Sequence, residues 1–505
     1  MKKPLLLLTL GALMAICTAC SGAGTTIVDQ ELPEDDPASE VTIEFWHCLG
    51  HNKTTNLEKI VNSFNAKYAG KYKVHLTHLA GDYDTLHDAL KTKLSSGEIP
   101  ALTMGYPDSF SEYISADITH SSILRLDNFI KDPNFGYSEA ELADFVPGFY
   151  AEGTDYQFPG TWSMPMYKST EALYYNRQYF AGANVLNVAK FEGNAEFTTL
   201  YSRVNGKTNA NVEEEDLQAL KTWVKEHQGY AYDVPTTWTE MFTLADQMQK
   251  DRAAQNNKEE FYPVGYDSDA NLMISQMKQR GIAYTVNDDE SKQNPSKHFA
   301  FNNDDAKALL NEIIGYINNK LLITKNSLGG STYTNEYFNE NKAAMVVGST
   351  GGSSYNVSEN FAVGLAAVPY SNDNPQYIQQ GPSICFFDNE NGYIHKGAWL
   401  FYKELASPEN NVRVALENSY DPVRISSYET TDYATWTGKA GEGLKYDIPN
   451  LTQTLKSHYM TSPTFVGSGT ARTQIGKLVT YVLKNKYTVE KAFTTAINQC
   501  NQVVR

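Results

Sequence analysis

Between Val41 and Tyr106 the sequence alternates between two kinds of hydrophobic spacing, and this alternation constrains the fold more than any other feature. Three short β-rich segments are separated by two segments whose apolar residues recur three and four positions apart, as in amphipathic helices. In chain order these segments are 41–46, 57–69, 71–79, 83–97 and 101–106. Strands that alternate with helices predict a parallel sheet covered by helices, which is an α/β fold.

The same alternation continues through most of the 505 residues, a length that allows two large domains or several small ones. EALYYN (171–176) and AAMVVG (343–348) are typical of strands, whereas WTEMFTLADQMQK and KGAWLFYKELA are typical of helices. Residues 184–232 interrupt the rhythm and include one amphipathic helix, EEEDLQALKTWVKEHQ. We interpret them as an insertion that decorates one domain.

The amino terminus has the pattern of a bacterial lipoprotein signal. Lys2 and Lys3 precede an apolar run over 5–16, and Thr18-Ala19 leads directly to Cys20. The run is shorter than the roughly 20 residues that a membrane-spanning helix needs. Residues 1–19 are therefore predicted to be a cleaved signal peptide, with lipid attached to the Cys20 thiol at the cell membrane. The alternative is a secreted protein that is cleaved nearby.

Composition narrows the environment and the classes of partner. Residues 20–40 are small, acidic and interrupted by prolines, which predicts a flexible tether. The net charge of −17 disfavours binding to nucleic acid, which depends on Lys and Arg neutralising phosphates. Cys48, Cys385 and Cys500 are too few and too scattered for a disulfide framework; three buried thiols are expected, with one bridge as the alternative.

A series of segments resembles, in order and spacing, the bacterial ABC-transporter solute-binding proteins of the carbohydrate-binding type. The resemblance is spread over residues 41–505. The segments include IEFWH, NSFNAKY, GDYDTLHDALKTKLSSGEIPAL, MPMYKSTEALYYN, YFNENKAAMVVGSTGG, ELASPEN and VEKAFTTAINQCNQVV. The resemblance implies a two-lobed fold of the type II, maltose-binding-protein-like class, in which the lobes close by a hinge over ligand in the cleft. It is strongest to the branch that binds glycerol 3-phosphate and glycerophosphodiesters.

The family's architecture implies that each lobe is built from two parts of the chain. By analogy, the hinge is crossed near residue 175, at 380–383 and around 430–440. Lobe 1 would then comprise 41–172 and 381–435, and lobe 2 would comprise 173–380, with the insertion 184–232, and 436–505.

The resemblance also assigns four ligand contacts. Tyr83 in GDY aligns with a cleft tyrosine, and Ser169 in KSTEALYYN aligns with a ligand-binding serine. Gly381 lies where the relative uses a backbone group on its ligand, and Tyr420 in NSYDPV aligns with another cleft residue. A tyrosine offers both a flat apolar face and a hydroxyl group, which suits a sugar or a glycerol chain.

Five further candidates come from the residues themselves. Ser349 and Thr350 open the loop GSTGG after a strand, where hydroxyl groups and glycine amides can meet a ligand. Asp108, Trp162 and Asp267 lie in loops after or near strands. Carboxylates bind paired sugar hydroxyls and an indole stacks on a sugar ring; the alternative for each Asp is a turn or helix cap.

Two departures from the family pattern bear on the ligand. The arginine that helps to hold phosphate in the relative aligns with Ser468, and Arg472 comes four residues later. The stretch that carries a ligand-stacking tryptophan in the relative reads GYDSDANLM here. Arginine is suited to phosphate because it donates two parallel hydrogen bonds. A small neutral carbohydrate or polyol is therefore the expected ligand, with glycerol 3-phosphate or a glycerophosphodiester as the alternative.

Other classes of function are less well supported. A hydrolase of the nucleophile-elbow type would need Gly-x-Ser-x-Gly, which is missing from the sequence. A metal site could draw on His47, His51, His75 and His78, but His75 and His78 are three apart in a predicted strand and point to opposite faces. We expect a monomer that binds without catalysing a reaction, uses no cofactor or metal, and delivers its ligand to ABC permease subunits.

Overall fold

Two five-stranded sheets, each assembled from distant parts of the chain, organise the structure. The computed structural model describes residues 29–50, 53–94, 96–114 and 122–504. The predicted signal peptide and Cys20 lie outside the described residues.

The first sheet has the strand order β2-β1-β3-β11-β4. Its strands are β1 Val41–His47, β2 Tyr72–His78, β3 Leu102–Gly105, β4 Met164–Pro165 and β11 Ser383–Phe386. The first three strands are parallel, as the alternating sequence pattern predicts. β11 is antiparallel to both β3 and β4, so the sheet is mixed rather than wholly parallel.

The second sheet has the strand order β7-β6-β8-β5-β9. Its strands are β5 Glu171–Asn176, β6 Tyr262–Tyr266, β7 Leu322–Thr324, β8 Ala343–Ser349 and β9 Val363–Ala367. A separate two-stranded pair joins β10 Tyr377–Ile378 to β12 Tyr459–Met460. The strands predicted at 171–176 and 343–348 are confirmed.

Helices cover both sheets, and all five helices that periodicity predicts are present. Those that accompany the first sheet are α1 Thr55–Lys67, α2 Tyr83–Leu94, α3 Pro107–Ile114, α4 Asp127–Lys131, α5 Glu139–Ala143, α6 Pro147–Ala151, α16 Gly392–Leu405, α17 Pro408–Glu417 and α18 Thr431–Thr437. Those that accompany the second are α7 Arg177–Ala181, α8 Val185–Lys190, α9 Ala195–Val204, α10 Glu214–Glu226, α11 Trp238–Ala254, α12 Asp269–Gln279, α13 Asp289–Gln293, α14 Asp304–Asn318, α15 Thr334–Asn339, α19 Leu444–Leu455, α20 Ser468–Gly476, α21 Leu478–Leu483 and α22 Val489–Val503. None of the helices formed by the described residues has both the length and the apolar character of a membrane span.

Each sheet has its own hydrophobic core, so the molecule has two lobes. Lobe 1 buries Phe45 of β1 against Phe401 of α16. Lobe 2 buries residues of the second sheet together with Phe493 of the last helix. Between them, Tyr433 packs with α17 in lobe 1, whereas Leu444 packs with the strands of lobe 2. The chain therefore passes back to lobe 2 between these two residues.

Residues 29–40 differ from the flexible tether that their composition predicts. They form no helix or strand, but they lie along lobe 1 and we call them the N-terminal strap. Leu32 is 6 % exposed and belongs to the lobe 1 core. Asp36 pairs with Lys71 and with Lys396, and Asp29 pairs with Arg125. The prediction failed because these acidic residues meet cations that are far away in the sequence.

The insertion at 184–232 contains α8, α9 and α10 and has a small core of its own. Trp223 and Leu220 of the predicted helix pack with Phe197 of α9. The cysteines at positions 48, 385 and 500 are free thiols, and the last two are buried.

Candidate functional site: a cavity between the two lobes

Short extended segments join the lobes at the hinge. Ser169 and Gln380 exchange both backbone hydrogen bonds, at 2.9 and 2.8 Å. Lys168 pairs in the same way with Asp421, so three passages of the chain lie side by side. Burial raises the pKa of the Asp421 carboxyl to about 6, although hydroxyl groups of Thr452 and Tyr459 donate to it.

Besides the hinge pairs, the lobes touch at two places. At the first, Lys53 Nζ of lobe 1 donates to the carbonyl oxygen of Gly351 at 3.0 Å, and the Tyr420 ring packs against that glycine so closely that a Cβ atom would lie 2.5 Å from the ring. At the second, Ser111 Oγ of α3 donates to the carbonyl oxygen of Phe465 at 2.9 Å. Gly351 thus has to remain without a side chain for the lobes to meet.

A cavity of about 90 Å³ lies between these contacts and beside the hinge. Lobe 1, lobe 2 and the hinge all contribute to its walls. Its lining residues are Tyr106, Pro107, Asp108, Glu152, Ile274, Tyr284, Thr285, Ile378, Gln379, Gln380, Thr461, Ser462, Pro463, Thr464, Ser468 and Arg472. A more open groove of about 780 Å³ adjoins the cavity and shares Thr285, Thr461 and Pro463 with it.

Opposite charges enter the cavity from opposite lobes. Asp108 is at the first turn of α3 in lobe 1, and Arg472 is on α20 in lobe 2. Burial raises the pKa of the Asp108 carboxyl, and the nearby Arg472 charge partly offsets this rise. Glu152 brings a second carboxylate, but the fully buried Lys168 ammonium forms an ion pair with it. The lining therefore combines the Asp108 carboxyl group, the Arg472 guanidinium cation and the Glu152 carboxylate, whose charge is neutralised by Lys168.

Several polar atoms of the lining residues are buried and have no hydrogen-bond partner within the described part of the chain. They are Oγ1 of Thr285, Nε2 of Gln379 and Oε1 of Gln380. Gln379 is 7 % exposed, so its amide cannot simply turn to bulk water. Buried polar groups in proteins are nearly always hydrogen-bonded. These three lining residues therefore keep an amide donor, an amide acceptor and a hydroxyl group unpaired among the described residues.

A cluster of tyrosines supports the lobe 1 wall. The rings of Tyr83 and Tyr106 meet edge to face, with centroids 4.8 Å apart. Tyr420 packs on Tyr167 with ring centroids 4.4 Å apart, and its hydroxyl group lies near that of Tyr83. Of these four rings, Tyr106 lines the cavity, so the predicted Tyr83 and Tyr420 lie one layer behind it.

The structure places the other hinge-side predictions close to the cavity without exposing them in it. Ser169 is 1 % exposed, and none of the described residues bonds to its Oγ. Thr350 bonds to the backbone of Thr170, and Ser349 accepts from the Tyr174 hydroxyl through its carbonyl oxygen. Gly381 adjoins the lining residue Gln380 and accepts from Lys168 Nζ at 3.1 Å.

Two predicted residues have structural roles elsewhere. Trp162 is 0 % exposed in the lobe 1 core, and its indole N–H donates to the carbonyl oxygen of Phe158 at 3.1 Å. Asp267 accepts from the backbone N–H and the hydroxyl group of Thr334 at the start of α15. Trp162 therefore packs in the core, Asp267 bonds to the start of α15, and neither is among the residues that line the cavity.

The described histidines that were considered for metal binding do not converge on one site. His75 pairs with Glu44 on the exposed side of the sheet, and His47 packs against His78 with ring centroids 5.4 Å apart. Burial and the proximity of His78 lower the pKa of His47 to about 4. His51 lies outside the described residues. No group of three metal-ligating side chains occurs in the described part of the chain.

Sequence reasoning missed several lining residues and undervalued Arg472. Ser468 and Arg472 are one helical turn apart on α20, and both line the cavity. The loss of the family's arginine at position 468 therefore does not remove the cation from the site. The i, i+4 spacing on a helix was the available signal. Tyr106 was also detectable, because it directly follows β3.

Comparisons with known proteins agree with this architecture. A family model described as bacterial extracellular solute-binding protein matches residues 59–441, well over half of the chain. The sn-glycerol-3-phosphate-binding periplasmic protein UgpB of Salmonella typhimurium is 22% identical over 480 residues, covering 92% of this chain and 92% of that protein. UgpB of Yersinia pestis is 22% identical over 402 residues, covering 77% and 75%.

Solved structures give the fold independently. The crystal structure of UgpB from Mycobacterium tuberculosis in complex with glycerophosphocholine matches with a TM-score of 0.65 at 14% identity, covering 92% of this chain and 98% of that one. The cyclic α-maltosyl-1,6-maltose binding protein of Arthrobacter globiformis matches with a TM-score of 0.62, also at 14% identity, covering 92% and 99%. The predicted two-lobed, maltose-binding-protein-like α/β fold is confirmed, and the chain belongs to the bacterial extracellular solute-binding protein family.

Proposed function

We propose that this protein captures a small carbohydrate or polyol in the cavity between its lobes and delivers it, chemically unchanged, to the permease of an ABC importer. The observation that carries the proposal is the set of unpartnered polar atoms on Thr285, Gln379 and Gln380, which line a cavity that both lobes enclose. Hydroxyl groups both donate and accept, so a polyhydroxylated solute satisfies such atoms better than an apolar one.

The site also offers surfaces for the carbon skeleton of such a ligand. Tyr106 from lobe 1 and Tyr284 from lobe 2 bring aromatic side chains to the walls, together with the aliphatic Ile274 and Ile378. Aromatic and aliphatic walls with a few directed polar groups are typical of small-molecule sites. The adjoining groove leaves room for a second unit of a longer ligand.

Capture would work by closure of the lobes. Contacts such as Lys53 to Gly351 and Ser111 to Phe465 form only when the lobes are together. A ligand that bonds to both lobes favours this closed state by its differential affinity for the closed over the open form. The permease would then recognise the closed form, and the proposal requires no catalytic residue or cofactor.

A specific observation favours a second candidate, a glycerophosphodiester or glycerol 3-phosphate. Arg472 lines the cavity and can donate paired hydrogen bonds to phosphate oxygens. Asp108 faces the same space and disfavours an anion, most strongly a doubly charged phosphate monoester. A singly charged phosphodiester is therefore the more compatible ligand of the two, and neutral solutes remain the main proposal.

The proposed setting is the outer face of the cell membrane. Cys20 follows a lipoprotein-type signal, so lipid on this residue would anchor a monomeric protein. The net charge of −17 fits a solute-binding protein with no nucleic-acid partner.

The first experiment is a ligand screen with protein lacking residues 1–20. Melting temperature is measured with neutral mono- and disaccharides, polyols, glycerol 3-phosphate and glycerophosphocholine, and positive results are repeated by calorimetry. A ligand at 100 times its Kd stabilises the folded state by about 2.7 kcal/mol, which is readily detected. We expect a Kd in the micromolar range or tighter for at least one polyhydroxylated solute. Stabilisation by a peptide or a metal ion alone, with none from these solutes, would contradict the proposal.

A further inference from the structure

A chain of hydrogen bonds runs from the cavity to the hinge strand of lobe 2. An N–H group of the Arg472 guanidinium donates to Oδ1 of Asn271 on α12. Nδ2 of the same asparagine donates to Oε1 of Glu171 at 2.7 Å, and the Tyr266 hydroxyl donates to Oε2 at 2.5 Å. Glu171 is the first residue of β5 and comes two residues after Ser169 of the hinge pair.

The inner members of this chain are buried behind the cavity wall. Asn271 is 1 % exposed and Glu171 is 3 % exposed, whereas Arg472 reaches the cavity. A buried carboxylate is costly unless it is hydrogen-bonded and near a compensating charge, and here both conditions are met. Such a group is retained at a cost to stability, which calls for a role beyond packing.

An arginine side chain has many rotamers, and its guanidinium is an effective hydrogen-bond donor only in the orientation that matches the acceptor. The bond to Asn271 fixes one edge of the Arg472 guanidinium. The amide of Asn271 cannot turn over without losing its own bond to Glu171. Glu171 therefore determines which way the asparagine faces, and the asparagine determines how Arg472 is presented.

We propose that Asn271 and Glu171 are positioning residues that hold the Arg472 guanidinium ready for an oxygen acceptor of the bound solute and connect that contact to the hinge strand. This inference rests on the proposed function. The shared ligand chemistry is an acceptor oxygen, whether it belongs to a phosphodiester or to a sugar. Neither residue touches the ligand, so their effect on binding passes through Arg472.

The electrostatics of Glu171 provide a way to test this role. Burial raises the pKa of its carboxyl to about 7, against the hydrogen bonds from Tyr266 and Asn271 and the charge of Arg472, while the neighbouring Asp267 raises it further. Tyr266 and Asp267 belong to or follow β6, Asn271 is on α12, and Arg472 is on α20. Glu171 thus changes its protonation over the range pH 6 to 8.

The experiment measures Kd by calorimetry at pH 6, 7 and 8 with two probes, glycerophosphocholine and tagatose. Glycerophosphocholine keeps one charge on its phosphate over this range, so it adds no titration of its own. We expect Asn271→Ala and Glu171→Ala to weaken binding about tenfold, the order of one lost hydrogen bond to a charged group. Glu171→Gln keeps an oxygen that accepts from Asn271, and its NH2 group can donate to the Tyr266 oxygen. It should therefore bind within about threefold of wild type but lose the change in Kd with pH that ionisation of Glu171 produces.

The matched control is Asp269→Asn. Asp269 is a buried carboxylate on the same helix, bonded to Thr324 and Asn326 and not to Arg472, and burial raises its pKa to about 6. Its Kd values should stay within about twofold of wild type at each pH. Alanine variants that fold and bind like wild type would overturn the inference.

A second measurement does not depend on the ligand. In a crystal structure of Asn271→Ala we expect the Arg472 guanidinium to adopt a different orientation from wild type, whereas it should be unchanged in Glu171→Gln. An unmoved guanidinium in Asn271→Ala would overturn the positioning role. Failure of wild type to bind either probe would instead count against the proposed function, and the two failures are thereby distinguished.

Discussion

Arg472 and Asp108 are the charged side chains that the two lobes present to one another. Each lies in a wall of the cavity, and their charges act on each other across it. In the closed form this attraction brings the lobes together, but it also means that any charged ligand meets one favourable and one unfavourable partner. The balance between Arg472 and Asp108 therefore bears on whether neutral or anionic solutes bind more tightly.

Replacing Arg472 tests which solutes depend on the cation. We expect Arg472→Gln to weaken glycerophosphocholine binding about 10- to 100-fold, because hydrogen bonds to charged groups contribute about 1.5–3 kcal/mol. Neutral sugars should lose less than tenfold. The measurement is calorimetry at 0.1 M salt, with Lys477→Gln as control, since Lys477 is an exposed cation just after the same helix. Equal losses for charged and neutral ligands would refute this charge-based selectivity.

At the scale of elements, the hinge depends on close contacts between extended segments. Gly381 has φ +92°, and a Cβ atom on it would lie 2.6 Å from the carbonyl oxygen of Tyr167 and 2.9 Å from the Lys168 Cα. These contacts are with backbone, which cannot move aside as a flexible side chain can. The second passage of the chain across the hinge therefore requires glycine at this position.

Gly381→Ala should destabilise the protein by about 3 kcal/mol or more. Part of this loss is the cost of about 1–2 kcal/mol for a left-handed backbone with a side chain, and the rest is the steric clash. Gly441→Ala isolates the first part, because Gly441 has φ +91° and a Cβ atom on it would have no neighbouring atom within 4 Å. Urea unfolding measures both. If the two variants lose the same free energy of unfolding, the clash at the hinge has no energetic consequence.

Periodicity in the sequence was sufficient to predict the strands and helices, but not to predict which side chains would face the core and which would face the cleft. The strands from β1 to β3 and helices such as α1 and α11 follow from local spacing, because one face of each is buried. Whether Trp162 faced the core or the cleft depended on residues such as Phe158 and on the distant lobe 1 core. Arg472 became visible only when α20 was placed beside the cavity. Side-chain direction in loops and between lobes is a tertiary property, which local spacing does not encode.

At the scale of the whole molecule, the N-terminal strap extends the first segment of lobe 1 along the surface of that lobe. Its acidic residues meet Lys71, Arg125 and Lys396, and Leu32 enters the core. The exposed pair with Lys71 contributes only about 0–1 kcal/mol. Lys396 is buried and also donates to the carbonyl oxygens of Glu34 and Asp35, so Leu32 and Lys396 are the main contacts of the strap. The strap belongs to one lobe and leaves the other free to rotate.

Leu32→Ala should lower the free energy of unfolding by about 2–5 kcal/mol, the range for truncating a buried leucine to alanine. Limited proteolysis should then cut within residues 29–40, which we expect to be protected in the wild type. Val357→Ala is the control, because Val357 is 51% exposed on lobe 2 and should leave both measurements unchanged. A strap that remains protected in Leu32→Ala would show that the polar contacts suffice.

The strap also determines which contacts bear a force that is applied to the amino end of the protein. A pull on the amino end is borne first by the ion pairs and by Leu32, all of which are in lobe 1. The connecting strands at Ser169 and Gln380 are not in the path of that force. A protein held by its N-terminal segment would therefore open and close its lobes at the same rate as a protein that diffuses freely.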